Sequence, residues 1–403
     1  MSNLSIKLLS IRLESLTIFR ALLDDPVIAS LRDYMNLFDK KDSTDKQMAS
    51  LYSEFVHTLF KSGYTCLAKY IRHIANNDEN VYIIAKGKKE KTCSEMQESV
   101  INELETLQMI ANLSVKDLTE HLSSMYFLPK YQDQQIDIAS DYKHRIANIG
   151  QYGYGIYAKY HMFYINSDNC IVPVRNPDTT TLDSLIDYKR EQQIIVDNTV
   201  ALLEGKPAAN ILLTGDAGTG KSSTVKAVVN ELHERGLRIL EVRKDQLREI
   251  PAILDELNSN PLKFILFIDD LSFTKDDDNY SALKAILEGS VSAKAQNVVI
   301  YATSNRRHLV KESFSDRDGD DVHRNDTMQE IISLSERFGI QITFKRPDKA
   351  TYLDIVKHLV KDNGIEIEET ELELLAERYA LERGGRSARA AKQFVSGLLA
   401  GVQ

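Results

Sequence analysis

One glycine-rich stretch of the sequence has residue types and spacing suited to binding phosphate. Residues 215–223 read Gly215-Asp216-Ala217-Gly218-Thr219-Gly220-Lys221-Ser222-Ser223 and fit the pattern G-x-x-x-x-G-K-[ST]. The glycines let the backbone wrap tightly, so that N–H groups and the following helix N-terminus hold phosphate oxygens. We expect Lys221 to reach the β- and γ-phosphates and Ser222 to bind Mg²⁺. The alternative, a glycine-rich turn that matches by chance, is disfavoured by the predicted strand before it and helix after it.

Two adjacent carboxylates follow an apolar run further along the chain. Residues 264–268 are apolar and lead into Asp269 and Asp270. A buried strand would bring Asp269 to the carboxyl edge of a sheet, beside the phosphate loop, as an oxygen ligand for Mg²⁺. Asp270 is then predicted to orient and polarise an attacking water. Acids after a core strand are commonly only solvated, but the phosphate loop upstream favours the functional interpretation.

A third apolar run ends in small polar residues. Residues 298–302 precede Thr303, Ser304 and Asn305. The side-chain amide of Asn305 is predicted to hydrogen-bond the γ-phosphate or the attacking water. The alternative is that one of these three residues is the N-cap of a helix, because all three types are good caps.

The pattern around these motifs predicts an α/β fold. Strands are expected at residues 210–214, 238–242, 264–268, 298–302 and 340–344, and they alternate with helices. Short apolar runs of this kind are typical of a parallel sheet that is buried on both faces. We therefore expect an α/β core over residues 181–346, followed by a helical segment over residues 347–403.

The first part of the chain has a different pattern. Apolar residues at spacings of three and four predict a helical domain over residues 1–145. Residues 146–180 are rich in tyrosine and β-branched residues and predict a small hairpin and a linker. The aromatic cluster, with basic residues nearby, is compatible with stacking on single-stranded bases. Packing of a sheet against a helix is the favoured interpretation.

Composition excludes several classes of protein. The 403 residues include 50 basic and 59 acidic side chains, for a net charge of −9, which disfavours a binder that neutralises many phosphates of nucleic acid. The three cysteines have no metal-ligand or disulfide spacing. No apolar run approaches the roughly 18 residues that span a bilayer. We expect a cytoplasmic protein with no membrane partner.

Taken in order, these motifs resemble those of AAA+ ATPases. The resemblance rests on the phosphate loop, Asp269-Asp270, Thr303-Ser304-Asn305, residues 335–339 and Gly384-Gly385-Arg386, and it covers about residues 182–403. Residues 182–188, Asn198 and residues 333–339 more closely resemble a bacterial AAA+ family catalogued as a domain of unknown function. The resemblance implies a P-loop core with a five-stranded parallel sheet and a helical lid.

The resemblance also implies roles for residues outside the phosphate loop. Arg337 matches the arginine finger, which acts on the ATP of a neighbouring subunit, so activity would require a ring or filament. Arg386 matches the second sensor of the lid, with Arg389 as the alternative. Asp187 and Tyr188 fall where such proteins contact adenine. Both arginines could instead be solvated helix residues.

The expected function is Mg²⁺-dependent ATP hydrolysis by an oligomer that remodels or loads an unknown protein or nucleic-acid client. The catalytic residues would be Lys221, Asp270, Asn305 and Arg337, with Ser222 and Asp269 as metal ligands. The rival is an ATP-gated adaptor with little hydrolysis, which stays open because many AAA+ proteins have Glu at the position of Asp270. Residues 243–249 lack the pore-loop pattern of threading unfoldases.

Overall fold

The computed structural model describes residues 3–40, 42–122, 126–272, 278–288, 296–305 and 335–402. The chain divides into two compact units, Met1–Lys159 and Tyr160–Gln403. Among the described residues, none of the helices combines the length and the apolar character that crossing a membrane requires.

The amino-terminal unit is helical, which confirms the expected mainly helical start of the chain. Its helices are α1 (Asn3–Glu14), α2 (Pro26–Met35), α3 (Asp45–Lys61), α4 (Leu67–Asn77), α5 (Val81–Gly87), α6 (Ser94–Ala111), α7 (Val115–Thr119), α8 (Ile138–Ala147), α9 (Ile149–Tyr152) and α10 (Ile156–Lys159). Local caps set where they begin: the Thr44 hydroxyl accepts from the Gln47 amide at α3, and Asp25 accepts from two amides at α2. The apolar faces meet in one core that includes Phe19, Tyr52 and Leu107.

A buried carboxylate ties the turn after α1 to α6. Glu103 is only 7% exposed, and its oxygens accept hydrogen bonds from the amides of Thr17, Ile18 and Phe19 and from the Thr17 hydroxyl at 2.6 Å. A buried charge needs such donors to offset its lost hydration. Glu103 is therefore a structural residue of this unit.

The second unit is built on a seven-stranded sheet in the order β2-β1-β4-β5-β6-β3-β7. Its strands are β1 (Met162–Ile165), β2 (Ile171–Pro173), β3 (Ile211–Gly215), β4 (Leu237–Glu241), β5 (Lys263–Ile268), β6 (Val298–Ser304) and β7 (Ile340–Phe344). All neighbouring pairs are parallel except β1 and β2. The expected α/β class with a parallel core is confirmed.

The expected number of strands is wrong, because the sheet has seven strands and not five. The tyrosine-rich segment does form a hairpin, but its first strand also pairs in parallel with β4, with Phe163 opposite Leu240. Without this pairing β4 would be an edge strand with unpaired backbone groups. The hairpin thus extends the sheet rather than standing beside it.

Helices cover the sheet and form a separate lid in the same unit. The sheet is packed by α11 (Lys189–Leu203), α12 (Lys221–Leu232), α13 (Ile250–Asn258) and α14 (Asp278–Glu288). The lid comprises α15 (Lys349–Asp362), α16 (Glu369–Glu382) and α17 (Ala388–Leu399), and has its own core around Tyr352, Ala391 and Phe394. The hydroxyl of Ser387 caps α17 by accepting from the Ala390 amide at 3.1 Å.

The hydroxyl of Tyr301 is buried in the core of this unit together with its hydrogen-bond partners. Tyr301 is fully buried in β6, and its hydroxyl lies 3.0 Å from Asn198 Nδ2 and 2.8 Å from Thr199 Oγ1, both on α11. Asn198 also exchanges two hydrogen bonds, each of 2.9 Å, with the backbone of Ala209 just before β3. These bonds fix α11 against the strand that carries the phosphate loop.

Candidate functional site

The order of the strands brings the sequence motifs to one edge of the sheet. β3 lies between β6 and β7, and β5 pairs with β6 on its other side. In the register, Thr214 lies opposite Ser304 and Ile268 lies opposite Ala302, so the carboxyl ends of these parallel strands are level. Ligands of open α/β sheets bind outside the carboxyl ends of the strands. The candidate site is therefore at this edge.

The phosphate loop has a backbone that requires glycine at two positions in particular. Gly215 has φ of +142°, and a Cβ there would lie 2.1 Å from the carbonyl oxygen of Phe344 in β7. Gly218 has φ of +82°, and a Cβ there would lie 3.0 Å from Cβ of Arg389 in the lid. The loop therefore passes closely between β7 and α17. Helix α12 begins directly after it, at Lys221, with its N-terminus toward the loop.

Lys221 is buried at the centre of this loop. Its side chain is held by three donated hydrogen bonds from Nζ, to the carbonyl oxygens of Gly215 and Asp216 at 2.8 Å each and to Asn305 Oδ1 at 3.0 Å. Burial lowers the pKa of Lys221, while the carboxylates of Asp269 and Asp216 act in the opposite direction. Three donors on one nitrogen require the ammonium form. The loop thus fixes a positive charge at the sheet edge.

Asp269 and Ser222 are close enough to share a metal ion. Asp269 Oδ1 accepts from Ser222 Oγ at 2.6 Å and from Thr303 Oγ1 at 2.5 Å. Magnesium in phosphate sites takes one or two protein oxygens, and substrate phosphates and water complete its octahedron. Within the described residues, His, Cys, Asp and Glu form no cluster of three or more that could hold a metal. The donor set fits Mg²⁺ bound together with a phosphate ligand.

Asp270 is held by hydrogen bonds from neighbouring strand ends in an unusual backbone conformation. Its φ is +52°, a left-handed value that Asp and Asn adopt more readily than most residues. Its amide donates to Thr303 Oγ1 at 2.9 Å, and its Oδ1 accepts from Asn305 Nδ2 at 2.7 Å. Asn305 therefore bridges Asp270 and Lys221 through the two ends of one amide group.

The alternative helix-cap role is excluded for two of the three residues considered. Thr303 and Ser304 belong to β6, which is longer than predicted, and both are buried. The Thr303 hydroxyl instead donates to the Asp269 carboxylate and accepts from the Asp270 amide, contacts that the sequence pattern did not identify. Residues 306–334 lie outside the described ranges, so the cap alternative for Asn305 is untested.

The two lid arginines have different surroundings. Arg386 forms a bidentate ion pair with Glu377 of α16, at 2.8 Å from Nε and 2.6 Å from Nη2, which raises the pKa of Arg386. Arg389 lies against the phosphate loop: its amide donates to the Gly218 carbonyl at 3.2 Å, and its charge contributes to lowering the pKa of Lys221. The structure thus brings Arg389, rather than Arg386, to the loop.

Arg346 was missed by sequence reasoning. Its Nε donates to Asp216 Oδ2 in the phosphate loop at 2.7 Å, and its Nη1 donates to the Gly384 carbonyl in the lid at 3.4 Å. A Cβ on Gly385 would lie 2.9 Å from the same Nη1. Arg346 follows β7 and matches no motif, so only the fold places it between loop and lid.

The remaining predicted residues lie at two different places. Arg337 precedes β7 at its amino end, whereas the carboxyl end of β7 pairs with Gly215. The fold therefore does not bring Arg337 to the phosphate loop of its own chain.

Tyr188 lies at the carboxyl end of β7, with its ring centroid 4.8 Å from that of Phe344. Its hydroxyl donates to the Lys345 carbonyl, and its amide donates to Asp187 Oδ1 at 2.7 Å.

Comparison with solved structures gives distant matches. One is the Thermotoga maritima RuvB Holliday junction branch migration motor, at 18% identity and a TM-score of 0.38, over 55% of this chain and 64% of that chain. Another is AMPPCP-bound DnaA from Aquifex aeolicus, at 20% identity and a TM-score of 0.39, over 56% of this chain and 67% of that chain. The match takes in less than two thirds of the length of the RuvB motor. No curated protein matches the sequence.

Comparison with family models gives a match to more than half of the chain. The matched residues, 158–402, begin just before β1 and take in the whole sheet, the phosphate loop and the lid. The hairpin strands that extend the sheet therefore lie inside the family's domain. The chain, with its mostly parallel sheet, its phosphate loop and its helical lid, belongs to the family described as "Protein of unknown function (DUF815)".

Proposed function

We propose that the second unit binds ATP together with Mg²⁺ and hydrolyses it. The observation that carries the proposal is the hydrogen-bonded chain from Lys221 through Asn305 to Asp270, with Ser222 and Asp269 beside it. This chain joins a fixed cation to a carboxylate across a loop suited to phosphate. The link from Lys221 to Asp270 has no evident structural purpose, because the carboxylates of Asp269 and Asp270 are exposed at the sheet edge.

Each side chain has a distinct task in the proposed reaction. The loop amides and Lys221 hold the phosphate oxygens and offset their charge. Mg²⁺ bound by Ser222 and Asp269 would supply further positive charge where charge develops on the phosphates. Asp270 accepts a hydrogen bond from the attacking water and orients it, and Asn305 keeps the Asp270 carboxylate in place. Water then attacks the γ-phosphorus in line with the leaving oxygen.

The lid is proposed to respond to the bound nucleotide. Arg346 already joins Asp216 of the loop to Gly384 of the lid, and Arg389 contacts Gly218. Phosphate oxygens at the loop attract both guanidinium groups, so nucleotide binding would change the balance of these loop–lid contacts. We infer that Arg389 is the lid arginine that senses nucleotide, while Arg386 stabilises the lid through Glu377.

Self-association into a ring or filament is part of the proposal. Arg337 lies at the amino end of β7, away from its own phosphate loop, and is half-buried. An arginine there can complete a site only in a neighbouring copy. The work done on an unknown protein or nucleic-acid client would follow from the resulting motion of lids and subunits.

An ATP-gated adaptor is the second candidate function. The observation that favours it is the short side chain of Asp270, which is already hydrogen-bonded to Asn305 and sits on a left-handed backbone. A carboxylate tied in this way reaches less far toward a water than Glu would. The adaptor would bind ATP tightly through the same loop and turn it over slowly.

Binding of a fluorescent ATP analogue with Mg²⁺ tests the function that both candidates share. Lys221→Ala removes the buried cation and is expected to weaken binding by about 100-fold or more, since it leaves the phosphate charge unmatched. Lys226→Ala is the matched control: Lys226 lies on the same helix, but its Nζ is 3.4 Å from Glu241 and not in the loop. Equal binding by wild type and Lys221→Ala would refute a nucleotide site here.

A further inference from the structure

The amino-terminal unit contains a polar cleft that the proposed nucleotide chemistry does not use. It has a volume of about 320 Å³ and lies between α4, α8 and α9, lined mainly by basic and amide side chains: Tyr64, Lys69, Arg72, His73, Asn76, Asn77, Asp141, His144, Arg145 and Tyr152. This volume is within the usual range for small-ligand sites. It lies wholly within the unit Met1–Lys159.

Helical spacing explains why these side chains face one cleft. On α4, Lys69, Arg72 and Asn76 recur at intervals of three and four residues, and the neighbours His73 and Asn77 follow the same face. On α8, Asp141, His144 and Arg145 have the same spacing. Residues three and four apart share a helix face. Two polar faces are thus opposed across the cleft, while Ile71 and Ala75 of α4 are buried on another side.

The cleft concentrates positive charge. It holds Lys69, Arg72 and Arg145 against the single carboxylate of Asp141, whose Oδ2 accepts a hydrogen bond from Asn76. Within the described ranges, none of these three cations lies within ion-pair distance of an acid. Burial together with the charges of Lys159 and Arg145 lowers the pKa of His73, as expected at a positive potential. The composition of the chain as a whole is acidic, so this charge is local.

Two buried polar atoms at the cleft have no hydrogen-bond partner among the described residues. They are the Nε donor of Arg145 and the Oδ1 acceptor of Asn76, whose side chain is only 8% exposed. The guanidinium of Arg145 is held 4.7 Å above the ring of Tyr152, and the Tyr152 hydroxyl is 3.4 Å from His144 Nε2. Orphaned buried groups of this kind are rare and call for a partner. The lining of the cleft therefore combines a guanidinium group with amide side chains, which suits a ligand that has both acceptors and donors.

We propose that this cleft binds a small phosphate monoester that also carries hydroxyl groups. A phosphoryl group has enough oxygens to accept from Arg145, Arg72 and Lys69 at once, which a single carboxylate cannot do as fully. A hydroxyl of the same molecule suits the amide side chains of Asn76 and Asn77, which also line the cleft. The small volume of the cleft favours a small molecule over a nucleic-acid strand, whose phosphates would follow an extended groove.

Calorimetric titration of the full chain with ribose 5-phosphate tests the proposal. The experiments use a Lys221→Ala background, so that binding at the phosphate loop does not contribute. Saturable binding is expected, with ribose showing none and inorganic phosphate binding more weakly. Arg72→Glu reverses an exposed charge in the cleft and is expected to weaken binding at least about tenfold, because it repels the phosphoryl group.

Two variants on α8 distinguish binding in the cleft from a general effect of removing positive charge. Arg145→Gln is expected to weaken binding as strongly as Arg72→Glu, and Lys143→Gln to leave it unchanged, since Lys143 is exposed on α8 outside the cleft. Thermal unfolding of each variant controls for loss of fold, and the exposed position of Arg72 keeps one variant free of that concern. Absence of saturable binding, or equal binding by Arg72→Glu, overturns the proposal. Tighter binding of single-stranded oligonucleotides with increasing length also overturns it, in favour of a nucleic-acid surface.

Discussion

At the scale of single residues, the site is a set of side chains that hold one another. Asn305 accepts from Lys221 and donates to Asp270, and Thr303 and Ser222 both donate to Asp269. Because each group is restrained by a neighbour, little side-chain entropy remains to be lost when phosphate binds. The arrangement is therefore preorganised, as the proposed binding of phosphate requires.

The two lid arginines give a prediction at this scale. Arg389→Ala removes the charge of the lid arginine whose backbone contacts Gly218, and it is expected to weaken binding of the ATP analogue by about tenfold. Arg386→Ala should instead lower the thermal stability of the lid, because Glu377 loses its bidentate partner, with a smaller effect on nucleotide affinity. The check is nucleotide titration and thermal unfolding of both variants. The opposite ranking would assign the sensing role to Arg386.

At the scale of elements, close packing of backbone decides what the loop tolerates. The phosphate loop passes between β7 and α17, so any side chain at Gly215 meets the Phe344 carbonyl. The predicted strands agree with the observed ones to within two residues at most ends, because their apolar runs are sharply bounded. Their order and the pairing of β1 with β4 could not be predicted, since short strands carry no signal for their partner.

Gly215→Ala gives the corresponding prediction. The new Cβ would collide with β7 and force a strained φ, so the free energy of unfolding should fall by roughly 3 kcal/mol and nucleotide binding should be lost. Gly364→Ala is the matched control, because Gly364 also has a positive φ, of +64°, but has nothing within 4 Å of the added atom. It should cost only about 1 kcal/mol. Chemical denaturation measures both variants, and equal losses would show that the clash with Phe344 is not real.

Long-range contacts also limited what the sequence could predict about the site. The phosphate loop, Asp269, Asp270 and Asn305 follow motifs of fixed spacing, and the fold brings them together. Arg346 matches no motif, and the motif that contains Thr303 does not indicate its contacts, because each residue acts through partners distant in sequence. Arg386 and Arg389 are one turn apart, and only the packing of α17 on Gly218 distinguishes them.

At the scale of the whole molecule, the position of Arg337 bears on assembly. A mixing experiment tests its proposed action on a neighbouring copy. Arg337→Ala should bind ATP normally but turn it over slowly, because it cannot complete a neighbour's site. Asp270→Asn should also bind ATP and turn it over slowly, because it loses the carboxylate that orients the attacking water. When the two variants are mixed, some sites will combine an intact Asp270 with a neighbour's Arg337, so part of the activity should return. Activity that equals the sum of the separate variants would argue against action in trans.

The chain as a whole joins two chemically different units. The second belongs to the matched family and carries the proposed nucleotide site, whereas the family match omits almost all of the helical unit. The helical unit has its own core and its own cationic cleft. The two proposals thus assign nucleotide turnover and binding of a further ligand to separate units.

The most direct test of the central claim is phosphate release from Mg²⁺-ATP as a function of protein concentration, with Lys221→Ala as the blank. We predict turnover that rises more steeply than in proportion to concentration, because the proposed reaction uses Arg337 of a neighbouring copy at each site. Asp270→Asn should abolish turnover while ATP binding persists. Release no faster than the blank at every concentration would contradict the ATPase and leave ATP-gated binding as the function of the site.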